Sequence, residues 1–141
     1  MIPRGLRNNN PGNIRINKER WQGEIQPSQD NAFKQFSSMA YGYRAIFKLL
    51  YNYQHTHGCR RLGEFISRWA PPTENNTNAY IRTVCQHCGI AGLSDLSIID
   101  TTDARLMKGI VAGMSFVENG IEADADDVNA GWELFAKELK R

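Results

Sequence analysis

Glu118 is the residue whose sequence surroundings point most directly to catalysis. It lies within the apolar stripe of a predicted helix, four residues after Met114 and seven after Val111. It also ends that helix, where the backbone dipole is negative. Apolar surroundings and a negative helix end both disfavour an ionised carboxylate, so we expect Glu118 to hold a proton near neutral pH. Such an acid can protonate the leaving oxygen of a glycosidic bond.

A second interpretation gives Glu118 a structural role. Buried carboxylates are usually paired with a cation, and the opening segment supplies Arg4, Arg7 and Arg15. In this interpretation one of these arginines ties Glu118 to the first turn of the chain. Both interpretations predict that the N-terminal turn lies over Glu118.

Three other carboxylates are candidates for related roles. Glu74 follows two prolines and precedes a predicted helix, where an ionised acid is favoured. It therefore suits ligand binding better than proton donation, and it is the second choice for the catalytic acid. A hydrolase would need a second carboxylate across a cleft, for which Glu24 and Asp30 are the candidates. The alternative for both is an ordinary solvated loop position.

The opening segment, residues 4–15, has no hydrophobic period and is rich in asparagine. Asparagine and glycine tolerate left-handed backbone and proline fixes φ, so residues 10–13 (NPGN) predict a tight turn. Asparagine offers an amide donor and a carbonyl acceptor together, which suits a sugar chain rich in hydroxyl and acetamide groups. We therefore predict that the glycan is bound by Asn9, Asn10 and Asn13. The alternative is a capped, solvated loop.

Aromatic and amide side chains elsewhere could complete a sugar site. Trp21, in a polar hairpin, is the candidate for stacking on a sugar face, and Asn75 and Tyr80 lie near Glu74 in the sequence. Trp69 and Tyr80 could also stack on a sugar, but Trp69 falls on the apolar stripe of a helix, so we expect it in the core.

Composition favours one globular domain with no nucleic-acid function. The chain has 141 residues, 41% apolar residues and a net charge of +2, which leaves no electrostatic footprint for nucleic acid. No apolar run reaches membrane-spanning length and no secretory signal follows Met1. If the substrate is bacterial cell wall, the protein would be made in the bacterial cytoplasm and would need delivery by another route.

Cysteine usage gives a weak metal signal. A Cys-x-x-Cys pair, Cys85 and Cys88, encloses His87, and a zinc site could be drawn from these with His55, His57 and Cys59. A second matching pair is missing. We therefore predict no metal and no cofactor, with Cys85 and Cys88 packing as small apolar residues.

The periodicity predicts a mainly helical domain over residues 1–141. Residues 14–36 alternate irregularly and predict two or three short strands in a small β-lobe, which must rest on helices. Helical spacing then runs from residue 41 to the end. It predicts five helices, at 41–57, 61–69, about 77–88, about 103–118, and from the acidic residues 124–127 to Leu139.

Several motifs together resemble a family of phage and prophage proteins usually described as virion structural proteins with a lysozyme-like fold. These are residues 7–15 (RNNNPGNIR), 21–23 (WQG), 33–36 (FKQF), 41–45 (YGYRA) and 69–77 (WAPPTENNT). The opening segment and Trp-x-Gly also resemble part of bacterial cell-wall glucosaminidases. Residues 106–120 (LMKGIVAGMSFVENG) look like the catalytic helix of lytic transglycosylases, in which that helix precedes the β-lobe. The reversed order leads to the hypothesis of a circularly permuted lysozyme-like domain.

The residues and the resemblance together predict a peptidoglycan-degrading muramidase or lytic transglycosylase that uses a glutamate acid. Its partner would be the glycan strand, without membrane insertion. If neither Glu24 nor Asp30 faces Glu118, the transglycosylase interpretation gains. The alternative is a non-catalytic virion or assembly protein that keeps the fold as a binding module and contacts other virion proteins.

Overall fold

The computed structural model describes residues 1–140, so Arg141, the last residue of the predicted domain, lies outside the described residues. Within residues 1–140 the chain forms six helices and one two-stranded antiparallel sheet, which confirms a mainly helical fold with a small β-hairpin. In chain order these are α1 (Arg4–Arg7), β1 (Glu24–Ile25), β2 (Gln35–Phe36), α2 (Met39–His55), α3 (Leu62–Trp69), α4 (Thr77–His87), α5 (Ala104–Asn119) and α6 (Ala125–Leu139).

Helix α1 is the element that the hydrophobic pattern did not predict. It is a single turn, in which the Arg7 amide donates to the Pro3 carbonyl and the Asn8 amide to the Arg4 carbonyl. One turn is too short to show a helical period.

Local capping explains where the longer helices begin and end. The side chains of Asn76 and Asp103 accept the amides of Ala79 and Leu106, both at 3.1 Å, at the starts of α4 and α5. Helix α5 ends at Gly120, whose φ of 71° is the left-handed conformation that glycine adopts without strain. The end of α5, and with it the position of Glu118, is thus set by nearby sequence.

Helices α2 and α6 form the centre of the helical core. Phe47 of α2 meets Trp132 of α6 edge-on, with ring centroids 5.1 Å apart, and Phe135 packs against both rings. Gly131 permits this close approach, because a Cβ there would lie 2.5 Å from Cβ of Tyr43. Helix α5 lies beside α4 and α6.

The small sheet rests on a second apolar cluster. Strand β1 pairs with β2 in the register Glu24 opposite Phe36, and Arg15 forms an isolated bridge with Phe33. Buried Ile14, Phe36 and Ala45 join this lobe to α2. Within residues 1–140, no helix has both the length and the apolar character that crossing a bilayer requires.

Candidate active site

The opening turn lies on the C-terminal end of α5. The Asn13 amide donates to the Asn10 carbonyl at 3.0 Å, which closes the predicted turn, and Asn13 has a φ of 49°. Asn119, the last residue of α5, donates from Nδ2 to the Pro11 carbonyl at 2.9 Å. These contacts bring the first residues of the chain over the end of α5.

Glu118 is held by two neutral donors. Its Oε1 accepts from Asn13 Nδ2 at 3.0 Å, and its Oε2 accepts from the Tyr80 hydroxyl at 2.9 Å. Within residues 1–140 no arginine, lysine or histidine nitrogen lies within 4 Å of this carboxylate, so the expected ion pair with Arg4, Arg7 or Arg15 does not form. Glu118 is half-buried and faces a cleft.

Tyr80 stands behind Glu118 as a neutral phenol. Burial, followed by the charge of the adjacent Glu118 carboxylate, raises the pKa of Tyr80 well above its ordinary value. Tyr80 is 6% exposed and does not line the cleft, so its contact with a ligand would run through Glu118.

The cleft beside Glu118 has a volume of about 500 Å³, within the range of small-molecule sites. It is formed by the opening turn, the β-lobe, the end of α3 with its following loop, α2 and α5. It is lined by Gly12, Asn13, Ile14, Arg15, Phe33, Tyr53, Arg68, Trp69, Ala70, Pro71, Glu74, Asn75 and Glu118.

Neither predicted second carboxylate lines this cleft. Glu24 is 5% exposed at its side chain and pairs with Lys34 Nζ at 3.1 Å. Asp30 accepts from Arg4 Nε at 2.6 Å, from the Asn8 side chain, and from two backbone amides of its own loop. Both acids therefore hold the β-lobe together, and Glu74 is the acid that shares the cleft with Glu118.

The environments of Glu24 and Asp30 keep both carboxylates ionised. Burial works against the charge of Glu24, but hydrogen bonds from Gln26 and Lys34 outweigh it and hold the pKa of Glu24 below its usual range. Hydrogen bonds from Arg4 and from the Ala32 amide hold the pKa of Asp30 far below its usual range. Neither group is placed to donate a proton to a ligand in the cleft.

The predicted glycan-binding asparagines separate into two groups. Asn9 donates to the Phe36 carbonyl, and Asn10 is fully buried, with its amide shared between the Ile14 and Lys34 carbonyls. These two fasten the opening segment to the β-lobe. Asn13 and Asn75 do line the cleft, and the Asn13 Oδ1 atom is buried without a hydrogen-bond partner within residues 1–140.

Trp21 and Trp69 both pack against the apolar clusters, as expected for Trp69, and Trp69 also borders the cleft. Trp21 packs against the cluster of Ile14, Phe36 and Ala45 and does not line the cleft. Trp69, which the helical stripe assigned to the core, is half-buried and lines the cleft. Trp69 thus packs against the apolar clusters and lines the cleft at the same time.

The chain is similar in sequence to a known phage protein. The chain is 34% identical over 134 residues to Protein P5 of Pseudoalteromonas phage PM2, an alignment that covers 92% of this chain and 80% of that protein. This chain belongs to the family of Protein P5. No protein-family model matches the sequence. The kinship agrees with the phage part of the resemblance seen in the sequence motifs.

Besides Trp69, four charged or aromatic residues that line the cleft of this P5-family chain are absent from the predicted site. These are Arg15, Phe33, Tyr53 and Arg68. Arg15 was considered only as a partner for Glu118, and Phe33 only as a strand residue. Arg68 directly precedes Trp69 and is exposed on α3, and this position is an indication that it could belong to the site.

The cysteines of this P5-family chain form no disulfide within residues 1–140. Cys59 and Cys88 are buried and Cys85 is half-buried, and all three are free thiols. The Cys88 sulfur contacts the Cys85 carbonyl oxygen at 3.2 Å. Within residues 1–140, no three His, Cys, Asp or Glu side chains are grouped to hold a metal ion.

Proposed function

We propose that this protein cleaves glycan strands of peptidoglycan, with Glu118 as the acid that protonates the glycosidic oxygen. The observation that carries the proposal is the placement of Glu118: half-buried, in a cleft, and bound by an amide and a phenol rather than by a cation. Glu118 is therefore free to exchange a proton with a ligand in the cleft.

The neighbours of Glu118 suit this role. The side-chain amide of Asn13 donates to Glu118 Oε1 and fixes the carboxylate from the side of the opening turn. The Tyr80 hydroxyl donates to the other oxygen of the same group and fixes it from the side of α4. Together they orient the carboxylate without neutralising it.

The remainder of the cleft supports a sugar ligand. Trp69, Tyr53 and Phe33 supply aromatic surface of the kind that packs on sugar faces. Asn13 and Asn75 supply amides that can bind hydroxyl and acetamide groups. Glu74 would bind the ligand or assist the acid from the loop after α3.

The motif resemblances also favour this proposal. Residues 106–120 resemble the catalytic helix of lytic transglycosylases, and Glu118 occupies the position of their glutamate. A lysozyme-like domain with circularly permuted order would account for an opening segment that packs on a C-terminal helix. A phage-encoded enzyme of this kind would be made in the bacterial cytoplasm and act at the cell wall after delivery.

The test is turnover of purified sacculi by the wild type and by Glu118→Gln. Glutamine preserves shape but cannot donate an acidic proton, so we expect release of soluble fragments to fall by about a thousandfold. Glu133→Gln, at an exposed position of α6, is the matched control and should retain full turnover. Melting temperatures establish that both variants are folded.

Other outcomes have clear meanings. Equal turnover by wild type and Glu118→Gln would contradict the role of Glu118, and loss of turnover in Glu74→Gln alone would transfer the role to Glu74. An absence of turnover in a folded wild type would contradict the enzyme proposal as a whole.

Kinship favours a second candidate function. The relative is a phage protein, and the two acids first considered as partners for Glu118 are locked in ion pairs of the β-lobe. A non-catalytic virion or assembly component that uses the cleft as a binding module fits both observations. It predicts no turnover of sacculi but co-sedimentation with phage coat protein or with sacculi, reduced when Trp69 is changed to alanine.

A further inference from the structure

Two arginines in the cleft have no carboxylate partner. Arg15 and Arg68 both line it, and neither forms an ion pair within residues 1–140. By contrast, Arg4 and Arg44 are engaged by Asp30 and Glu138. What distinguishes Arg15 and Arg68 from the other unpaired cations is their place, since both border the cleft where a ligand would lie.

Aromatic rings hold both guanidinium groups in place. Arg15 Cζ lies 5.2 Å from the centroid of the Phe33 ring, and Arg68 Cζ lies 5.4 Å from the centroid of the Tyr53 ring. Both rings also line the cleft. A guanidinium that stacks on a ring keeps the N–H groups at its edge available, and these match a carboxylate in a two-point contact.

The arginines come from separate parts of the chain. Arg15 follows the opening turn that contacts Glu118, and Arg68 directly precedes Trp69 on α3. A ligand long enough to reach both would pass the proposed acid and the aromatic surface. Two separate cations suit a polymer that carries negative charge at intervals better than a single anion.

We infer that the cleft selects glycan strands bearing carboxylates, and that Arg15 and Arg68 are the residues that set this specificity. The inference rests on the proposed function, because it defines which glycan that site accepts. In peptidoglycan the carboxylates belong to the attached peptides, and the lactyl group of a muramic sugar carries a free carboxylate only where its peptide has been removed. A neutral polymer of N-acetylglucosamine carries neither.

Binding to three soluble glycans tests the inference. These are peptide-bearing peptidoglycan strands, the same strands after an amidase has removed the peptides and left free lactyl carboxylates, and chitin hexamers. Glu118→Gln serves as the background to prevent turnover, and tryptophan fluorescence reports occupancy because Trp69 lines the cleft. We expect Arg15→Gln and Arg68→Gln each to weaken binding of the charged strands about three- to tenfold and to leave chitin binding unchanged.

Two further comparisons separate specificity from a general effect. Arg15→Lys and Arg68→Lys keep the charge but lose the planar two-point contact, so they should restore part of the lost affinity. Arg105→Gln, an exposed arginine of α5 outside the cleft, is the matched control and should bind as the background does. Raising the salt concentration should weaken binding of charged strands only.

The remaining results identify the carboxylates that are recognised and test the specificity and the enzyme activity separately. Stronger binding of intact strands than of amidase-treated strands would assign the recognised carboxylates to the peptides, and the reverse would assign them to the lactyl groups. Turnover of sacculi combined with equal binding of charged and neutral glycans would overturn the specificity and leave the enzyme standing. Failure to bind or cleave any of the glycans would overturn both.

Discussion

Lys34 offers the sharpest test of how the β-lobe is held together. Its side chain is fully buried, and Nζ donates to both carboxylate oxygens of Glu24 at 3.1 Å and to the Glu19 carbonyl at 2.7 Å. We predict that Lys34→Met lowers the free energy of unfolding by about 3–5 kcal/mol at neutral pH, since it leaves the carboxylate of Glu24 buried without a cation.

The same contacts predict how this loss depends on pH. The pKa of Glu24 lies below its ordinary value in the folded wild type, so its contribution is present at neutral pH and is lost as the pH falls through that pKa. In Lys34→Met, Glu24 costs free energy only while it is ionised. The gap between wild type and variant should therefore be largest near pH 7 and shrink towards pH 4.

Urea unfolding followed by tryptophan fluorescence, at a series of pH values, measures this gap. Lys34→Met combined with Glu24→Gln should be more stable than Lys34→Met alone by about 2 kcal/mol, because no unpaired charge remains. Lys48→Met is the control: its Nζ lies 3.9 Å from Glu138 at a partly exposed position, so it should cost less than about 1 kcal/mol. A gap that does not change between pH 7 and pH 4 would refute the electrostatic reasoning and leave only lost packing.

Three further substitutions test the site and the core. Tyr80→Phe removes the phenol that binds Glu118, so turnover of sacculi should fall about tenfold while the melting temperature changes little. Gly5→Ala would bring a Cβ within 2.5 Å of Asn119 Oδ1, so we expect a loss of about 1–3 kcal/mol in urea unfolding and reduced turnover. Phe135→Ala opens a cavity in the core at a residue that is 1% exposed, and it should cost about 3–5 kcal/mol by the same assay; a loss under 1 kcal/mol would contradict that packing.

Much of the helical architecture could be predicted because its causes are local. Asp103 and Gly120 mark the start and end of α5 through contacts within a few residues, and the NPGN turn closes through a hydrogen bond between Asn10 and Asn13. The apolar period between these marks belongs to the helix itself. Glu118 was placed on the inner side of α5 by such local reasoning alone.

The residues that line the cleft could not be predicted in the same way. The sequence is equally compatible with Asp30 facing a ligand. In the folded chain Arg4, which is 26 positions away, binds Asp30 instead. Trp69 occupies a regular helical stripe and packs against the core, yet it also borders the cleft. The pairing of charges and the coverage of ring faces depend on distant segments, whose approach no local pattern encodes.

The sequence by itself determined the five longer helices, their capped ends, the asparagine turn and the phage kinship, since each rests on the order of residues alone. Only the tertiary structure decided which charges are neutralised in the β-lobe and which, as with Arg15 and Arg68, are left free in the cleft. The physical reason is range: a hydrogen-bonded turn closes over three or four residues, whereas the contact between Asn13 and Glu118 spans 105 positions and exists only in the folded chain.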